Sequence, residues 1–222
     1  MKQKVTGIVL SSSRMGEVDK RVVLLTKEEG KISAFARGAL RPKSPISSGT
    51  ESLCFGDFYV YRGRDSYTVD DLSISNYFKE IKEDLDKLYM GLYFLEVADY
   101  FTREGLGARP ELELIYRSLL ALQKESIPDR LIRRIYELRM LAISGYSPYY
   151  DEEKKAFTDD LGIWHISEGT AYTVGQILTL PLKKLYSFTV SEAVLKELET
   201  QVDKFFKRNT EKKFMALDAI KI

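Results

Sequence analysis

Three chemistries would leave a mark in the residue types and their spacing: a nucleophile beside its base, a metal cluster, and a loop that cradles phosphate. The only histidine is His165 and the only cysteine is Cys54. A closed zinc site usually takes four Cys or His ligands, so these two residues cannot build one. No phosphate-binding glycine loop follows a strand; Gly105-Leu106-Gly107 falls between helical stretches and reads as a turn. Asp70 and Asp71, with Asp57, offer carboxylates for a metal-dependent nuclease, but neighbouring strand residues point to opposite faces. The expectation is therefore no catalytic residue, no metal and no cofactor, and a protein that is not an enzyme.

The segment Arg37-Gly38-Ala39-Leu40-Arg41-Pro42-Lys43-Ser44 carries three cations, a glycine and a proline just after a strand that displays Phe35. Cations neutralise phosphates and a flat ring stacks on a base, the two ingredients of a single-stranded nucleic-acid site. Arg14, Lys20 and Arg21 flank an earlier turn and extend the candidate groove. Tyr59 and Tyr61 are further candidate platforms or simple barrel packing. Arg130 and Arg134 share one helix face, where they could serve a partner or pair with Glu137.

Charge agrees with this placement. The first 50 residues hold ten Lys or Arg against four acids, whereas the whole chain carries a formal +1, so a basic front is joined to a mildly acidic body. Such asymmetry suits an anionic polymer as partner.

The elements that must position these residues come in two kinds. Up to about Ser75, short segments alternate with period two, near Lys4 to Ser11, Arg21 to Thr26, Lys31 to Arg37, Leu53 to Arg62 and Tyr67 to Ser75. In the third, Ile32, Ala34 and Ala36 share one face while Lys31, Ser33, Phe35 and Arg37 share the other. Five short strands suit a small closed barrel of the OB kind. Near Asn76 the period lengthens to that of helices. Leu85, Leu88, Leu92 and Leu95 form one stripe; Leu112, Ile115, Leu119 and Leu122 a second; Leu131, Ile135, Leu138 and Ala142 a third. Residues 146–173 read as an irregular loop or small hairpin. Thr189 to Glu192 has capping-box spacing ahead of a last helix carrying Val194, Leu195, Leu198, Val202 and Phe205. The expected fold is α+β: an OB-fold barrel over residues 1–76, then a helical bundle over 77–222 with an irregular, cysteine-free insert.

Of the 222 residues, 44% are hydrophobic and 30% charged, the composition of a soluble globular chain with a real core. Nowhere do about 18 uncharged apolar residues run together, and the start lacks a long apolar signal region. A cytoplasmic location is expected.

The order Gly7-Ile8-Val9-Leu10, Gly16-Glu17-Val18-Asp19-Lys20-Arg21, Leu24-Leu25-Thr26, Gly30-Lys31-Ile32, Arg37-Gly38-Ala39 and Pro42-Lys43-Ser44 resembles the N-terminal domain of the bacterial RecO family. Leu141-Ala142-Ile143-Ser144-Gly145-Tyr146-Ser147-Pro148 resembles that family's helix followed by a Gly-aromatic-x-Pro turn. The resemblance implies a recombination mediator that binds single- and double-stranded DNA and anneals complementary strands. It further implies action with RecR to load RecA onto DNA coated by single-stranded-DNA-binding protein, in the bacterial cytoplasm at the nucleoid. An acidic tail of the single-stranded-DNA-binding protein would meet an apolar hollow beside Arg130 or Arg134. One departure stands out: many members carry a four-cysteine zinc module after the turn, whereas Tyr149 to Thr173 contains no cysteine. Phe157, Trp164 and Tyr172 would replace the metal by apolar packing.

Overall fold

The computed structural model describes residues 2–64 and 66–220. The chain divides into two compact units, one running through Tyr116 and taking in the segment from Phe214, the other Arg117–Lys213.

The first unit is built on five strands: β1 (Lys2–Met15), β2 (Asp19–Thr26), β3 (Gly30–Ala36), β4 (Phe55–Arg62) and β5 (Tyr67–Asn76). They close in the order β1-β2-β3-β5-β4, with β4 returning to β1. Every pairing is antiparallel except β3 with β5, which meet in parallel at Ala34 with Tyr67 and Phe35 with Thr68. The long β1 reaches both neighbours because its register shifts between Val9 and Ser11, a bulge that bends the strand. Gly7 of β1 stands opposite Gly56 of β4. A Cβ at Gly7 would lie 2.3 Å from the Leu25 carbonyl oxygen, so the tight wall of the barrel requires glycine there. Val5, Val9, Val22, Leu24, Ile32, Ala34, Phe58, Val60 and Val69 fill the interior. The period-two reading is borne out, with β1 running four residues beyond its expected end.

One outer side of the barrel is also buried. Ile8 and Leu25, paired across β1 and β2, are fully covered. Helix α2 (Leu85–Phe101), which follows the short α1 (Lys79–Glu83), packs against β1. Asp84 caps α2 by accepting from the amides of Asp86 and Lys87. The leucine stripe expected for α2 is displaced. Leu85 is 64% exposed, and the buried residues are Met90, Gly91, Tyr93, Phe94, Leu95, Val97 and Ala98. Aromatic and small residues outcompete leucine here because Tyr93 packs edge-on against Phe214 of the returning C-terminal segment.

The second unit holds the end of α3 (Arg109–Leu122), then α4 (Asp129–Ile143), α5 (Glu168–Thr179) and α6 (Glu192–Arg208). Leu119, Leu122, Leu131, Ile135, Leu138, Leu195, Leu198, Val202 and Phe205 are buried, as their spacing predicts. The cap of α6 is Ser191 rather than Thr189; its hydroxyl accepts from the Val194 amide.

The insert is more regular than its sequence suggests. Three short antiparallel strands, β6 (Tyr149–Asp151), β7 (Ala156–Asp159) and β8 (Gly162–Ile163), form a small sheet, and α5 begins at Glu168. Phe157 and Trp164 are buried, and the indole meets Phe205 of α6 with ring centroids 5.2 Å apart. Tyr172, expected to join them, is 71% exposed on α5, and Phe205 takes its place. Asp159 accepts from the Trp164 indole N–H at 2.7 Å and pairs with Arg208. Partial burial pushes its carboxyl up, but these bonds and the Leu161 amide hold it below the usual carboxylate range.

Candidate nucleic-acid interface

The open side of the barrel is made by β2, β3 and the connections at their far end. The two ends of β3 differ. Lys31 is anchored to α2, its ammonium donating to the Asp99 backbone carbonyl at 2.8 Å and carboxylate at 3.0 Å. Phe35, near the other end, is half-buried on the outer face, opposite Arg21 on β2 and Thr68 on β5. Arg21 is exposed, and its Nε donates to the Ser33 hydroxyl at 2.9 Å, which lays the guanidinium along β3. A cation and a flat ring therefore stand side by side on neighbouring strands.

Two loops extend this pair. The end of β1 carries Arg14, whose guanidinium reaches into the β1–β2 turn and donates to the carbonyls of Gly16 at 3.1 Å and Glu17 at 3.2 Å. The β3–β4 connection carries Arg37, Arg41 and Lys43, all exposed. Two hydrogen bonds staple the β3–β4 connection to the β1–β2 turn and the start of β2: the Gly38 amide donates to the Asp19 carboxylate at 2.7 Å, and the Leu40 amide to the Val18 carbonyl at 2.8 Å. Ala39 between them is fully buried and pins the connection to the barrel. Arg14, Arg21, Arg37, Arg41 and Lys43 are thus carried by one end of the barrel beside Phe35.

Lys20 does not belong to this set. It is only 6% exposed, and its ammonium points inward to the Glu51 carboxylate and the Ser47 carbonyl. An ammonium buried and paired in this way fixes the β3–β4 connection to β2 and is not available to a phosphate.

Arg130 and Arg134 are also committed elsewhere. Arg130 donates to Glu192 at 3.1 Å and forks onto Glu199, both on α6. Arg134 is buried and donates to Glu137 at 2.7 Å, while Arg133 donates to the same carboxylate at 2.8 Å. The expected pairing with Glu137 holds for Arg134, but in the interior rather than on a solvated face.

Asp57 accepts from Lys4 at 2.9 Å and the Thr6 hydroxyl at 2.8 Å, and Asp70 pairs with Lys2 at 2.6 Å. Both Asp70 and Asp71 are exposed because a register shift between Tyr59 and Val60 breaks the alternation of β5 against β4. Among the described residues no group of three or more His, Cys, Asp or Glu is placed to hold a metal. Cys54 is buried with its thiol on the Ser48 carbonyl at 3.3 Å, and burial pushes that thiol up. His165 is exposed. Tyr59 and Tyr61 stand on β4, separated from β3 by β5, and the Lys2 ammonium lies 5.4 Å from the Tyr59 ring centroid.

Two cations went unrecognised in the sequence. Arg62 and Arg64 are exposed at the β4–β5 turn, and the signal is the run Arg62-Gly63-Arg64 at the end of the fourth expected strand.

Residues 1–78 match the family described as Recombination protein O N terminal, and residues 82–218 match Recombination protein O C terminal. A DNA repair protein RecO of Acetivibrio thermocellus is 33% identical, covering 98% of this chain and 96% of its own length. That of Clostridium kluyveri is 25% identical over 98% of this chain and 93% of its own length. The chain belongs to the RecO family. The two family matches meet close to the end of β5 at Asn76, where the period of the sequence changes. The zinc module carried by many RecO proteins does not fit the residues present. The corresponding segment contains no cysteine, and the interior of its small sheet is occupied by Phe157 and Trp164. Among the described residues no helix is long and apolar enough to cross a membrane.

Proposed function

We propose that this RecO-family protein is a recombination mediator of DNA repair that binds single- and double-stranded DNA at the Arg21–Phe35 end of its barrel and anneals complementary strands. The observation that carries this reading is the stapling of the β1–β2 turn to the β3–β4 connection, which gathers five exposed cations beside a half-exposed ring. Cations that screen two phosphate backbones lower the repulsion between strands, and a ring that stacks on an unpaired base holds it open for a partner. No bond to carbon or phosphorus is made or broken, so the protein acts as a binding module and not as an enzyme, without metal or cofactor.

In the bacterial cytoplasm, at the nucleoid, the protein acts with RecR to assist loading of RecA onto DNA coated by single-stranded-DNA-binding protein. Since Arg130 and Arg134 are held by acids, the acidic tail of the single-stranded-DNA-binding protein docks elsewhere on the helical unit. A hollow of about 110 Å³ between Leu120, Ile127 and Leu182, beside Lys124 and Lys183, has the required combination of apolar wall and cation.

The test is an annealing assay with two complementary labelled oligonucleotides and the purified protein, with and without magnesium. Acceleration of annealing with both strands intact supports the reading. Strand cleavage that depends on magnesium, or spontaneous-rate annealing, contradicts it.

A further inference from the structure

Beyond Ser33, on the side of β3 away from the stapled loops, the barrel borders a hollow of about 380 Å³ between β3, the β4–β5 turn and the link from α2 to α3. That volume lies within the ~300–1,000 Å³ range of small-ligand sites. It exists because the link approaches the β2–β3 turn at Gly30, where φ is +66° and a Cβ would fall 1.9 Å from the Leu106 carbonyl oxygen. The walls are chemically mixed. Arg62 and Arg64 supply exposed guanidiniums. Tyr67 supplies a ring, overlaid by the Arg62 guanidinium at 5.9 Å from its centroid and tethered by its hydroxyl to Glu29 at 3.3 Å. Glu104 supplies an exposed carboxylate. Lys31 also lines the hollow, but its ammonium is neutralised by Asp99.

Such a set fits one nucleotide: guanidiniums for a phosphate, a ring edge for the base, and a carboxylate that accepts from an exocyclic amino group. We infer that this hollow is a nucleotide subsite that takes an unpaired nucleotide of the bound strand and thereby favours single-stranded over double-stranded DNA. The inference rests on the DNA-binding reading above and names the substrate class that its site prefers. Continuity supports it, since Ser33 both lines the hollow and receives the Arg21 guanidinium, so one strand passing Phe35 and Arg21 runs directly to it. Selectivity follows from cost. A paired base must leave its stack to enter, which takes a few kcal/mol that an unpaired base does not spend. The stapled cations Arg37, Arg41 and Lys43 contact backbone only and serve both forms.

The experiment is a fluorescence-anisotropy titration with a labelled single-stranded oligonucleotide and with the same sequence as a blunt duplex, each at several salt concentrations. The full chain is compared with Arg62→Ala/Arg64→Ala, with Arg62→Lys/Arg64→Lys, and with Arg37→Ala/Arg41→Ala. The alanine pair at the β4–β5 turn is expected to flatten the single-strand log–log salt slope by about 0.7, the worth of one phosphate contact, and to leave the duplex slope unchanged. The lysine pair retains the single-strand slope. Arg37→Ala/Arg41→Ala flattens both. If the alanine pair at the turn leaves single-strand binding as it was, or weakens both forms alike, while Arg37→Ala/Arg41→Ala still acts, the subsite is refuted and the DNA-binding reading survives. If the unaltered protein binds neither DNA at low salt, both are refuted.

Discussion

Arg21 and Phe35 stand directly opposite each other on β2 and β3, the guanidinium held along β3 by the Ser33 hydroxyl. The pairing separates two contributions to binding that can be measured apart. Phe35→Ala is expected to weaken single-strand binding by about 1–3 kcal/mol, the usual worth of a stacked base, without changing the salt slope. Arg21→Ala is expected to flatten that slope by about 0.7. Titrations of both variants across salt concentrations distinguish the two effects.

Lys20 is expected to matter for folding and not for DNA. Replacement by Met keeps the buried stem and removes the charge, so the salt slope of DNA binding stays as it was. Glu51→Ala leaves the buried ammonium without its carboxylate and is expected to cost about 1–3 kcal/mol. Urea unfolding of Glu51→Ala beside Lys20→Met checks this, with Glu51→Ala the less stable.

Glu137 is 0% exposed and accepts from two arginines. Glu137→Ala would take from two buried guanidiniums the carboxylate they share and is expected to lose about 3–5 kcal/mol of stability, read by chemical denaturation.

Asp159 gives the insert a pH dependence with a definite sign. Its folded carboxyl is held below its unfolded value, so the stability it contributes is complete above about pH 4 and is lost as pH falls through the folded value. Asp159→Asn is expected to be less stable by about 1–2 kcal/mol at neutral pH, with the gap to the unaltered protein closing below about pH 4. Thermal melts of the two proteins from pH 7 down to pH 3 follow the gap.

Much of the barrel is readable from residue order alone, because alternation fixes which face of β3 is buried and so places Phe35 outward. Alternation does not say what covers a face. The ammonium of Lys20 is neutralised by Glu51, 31 residues away, and Arg130 by Glu199, 69 residues away. Neither distance leaves a local signature, and an unpaired and a paired cation look alike in sequence. The same limit explains the displaced stripe of α2, whose buried side was set by Phe214 at the far end of the chain. Tyr172 follows the same rule: an aromatic residue reads as core material, but α5 turns it to solvent and Phe205 packs on Trp164 instead. Arg62 and Arg64 border the hollow beside β3, which is formed by segments far apart in the chain and leaves no local signature.

The most direct test of the DNA-binding end of the barrel is the affinity of the purified protein for a labelled single-stranded oligonucleotide as salt is varied, measured beside Arg37→Ala/Arg41→Ala. Five phosphate contacts give a log–log slope of about −3.5, steeper if the β4–β5 turn also engages, and the double variant is expected to lower its magnitude by about 1.4. A slope unaffected by the double substitution, or no binding at low salt, would contradict the assignment of these loops to DNA.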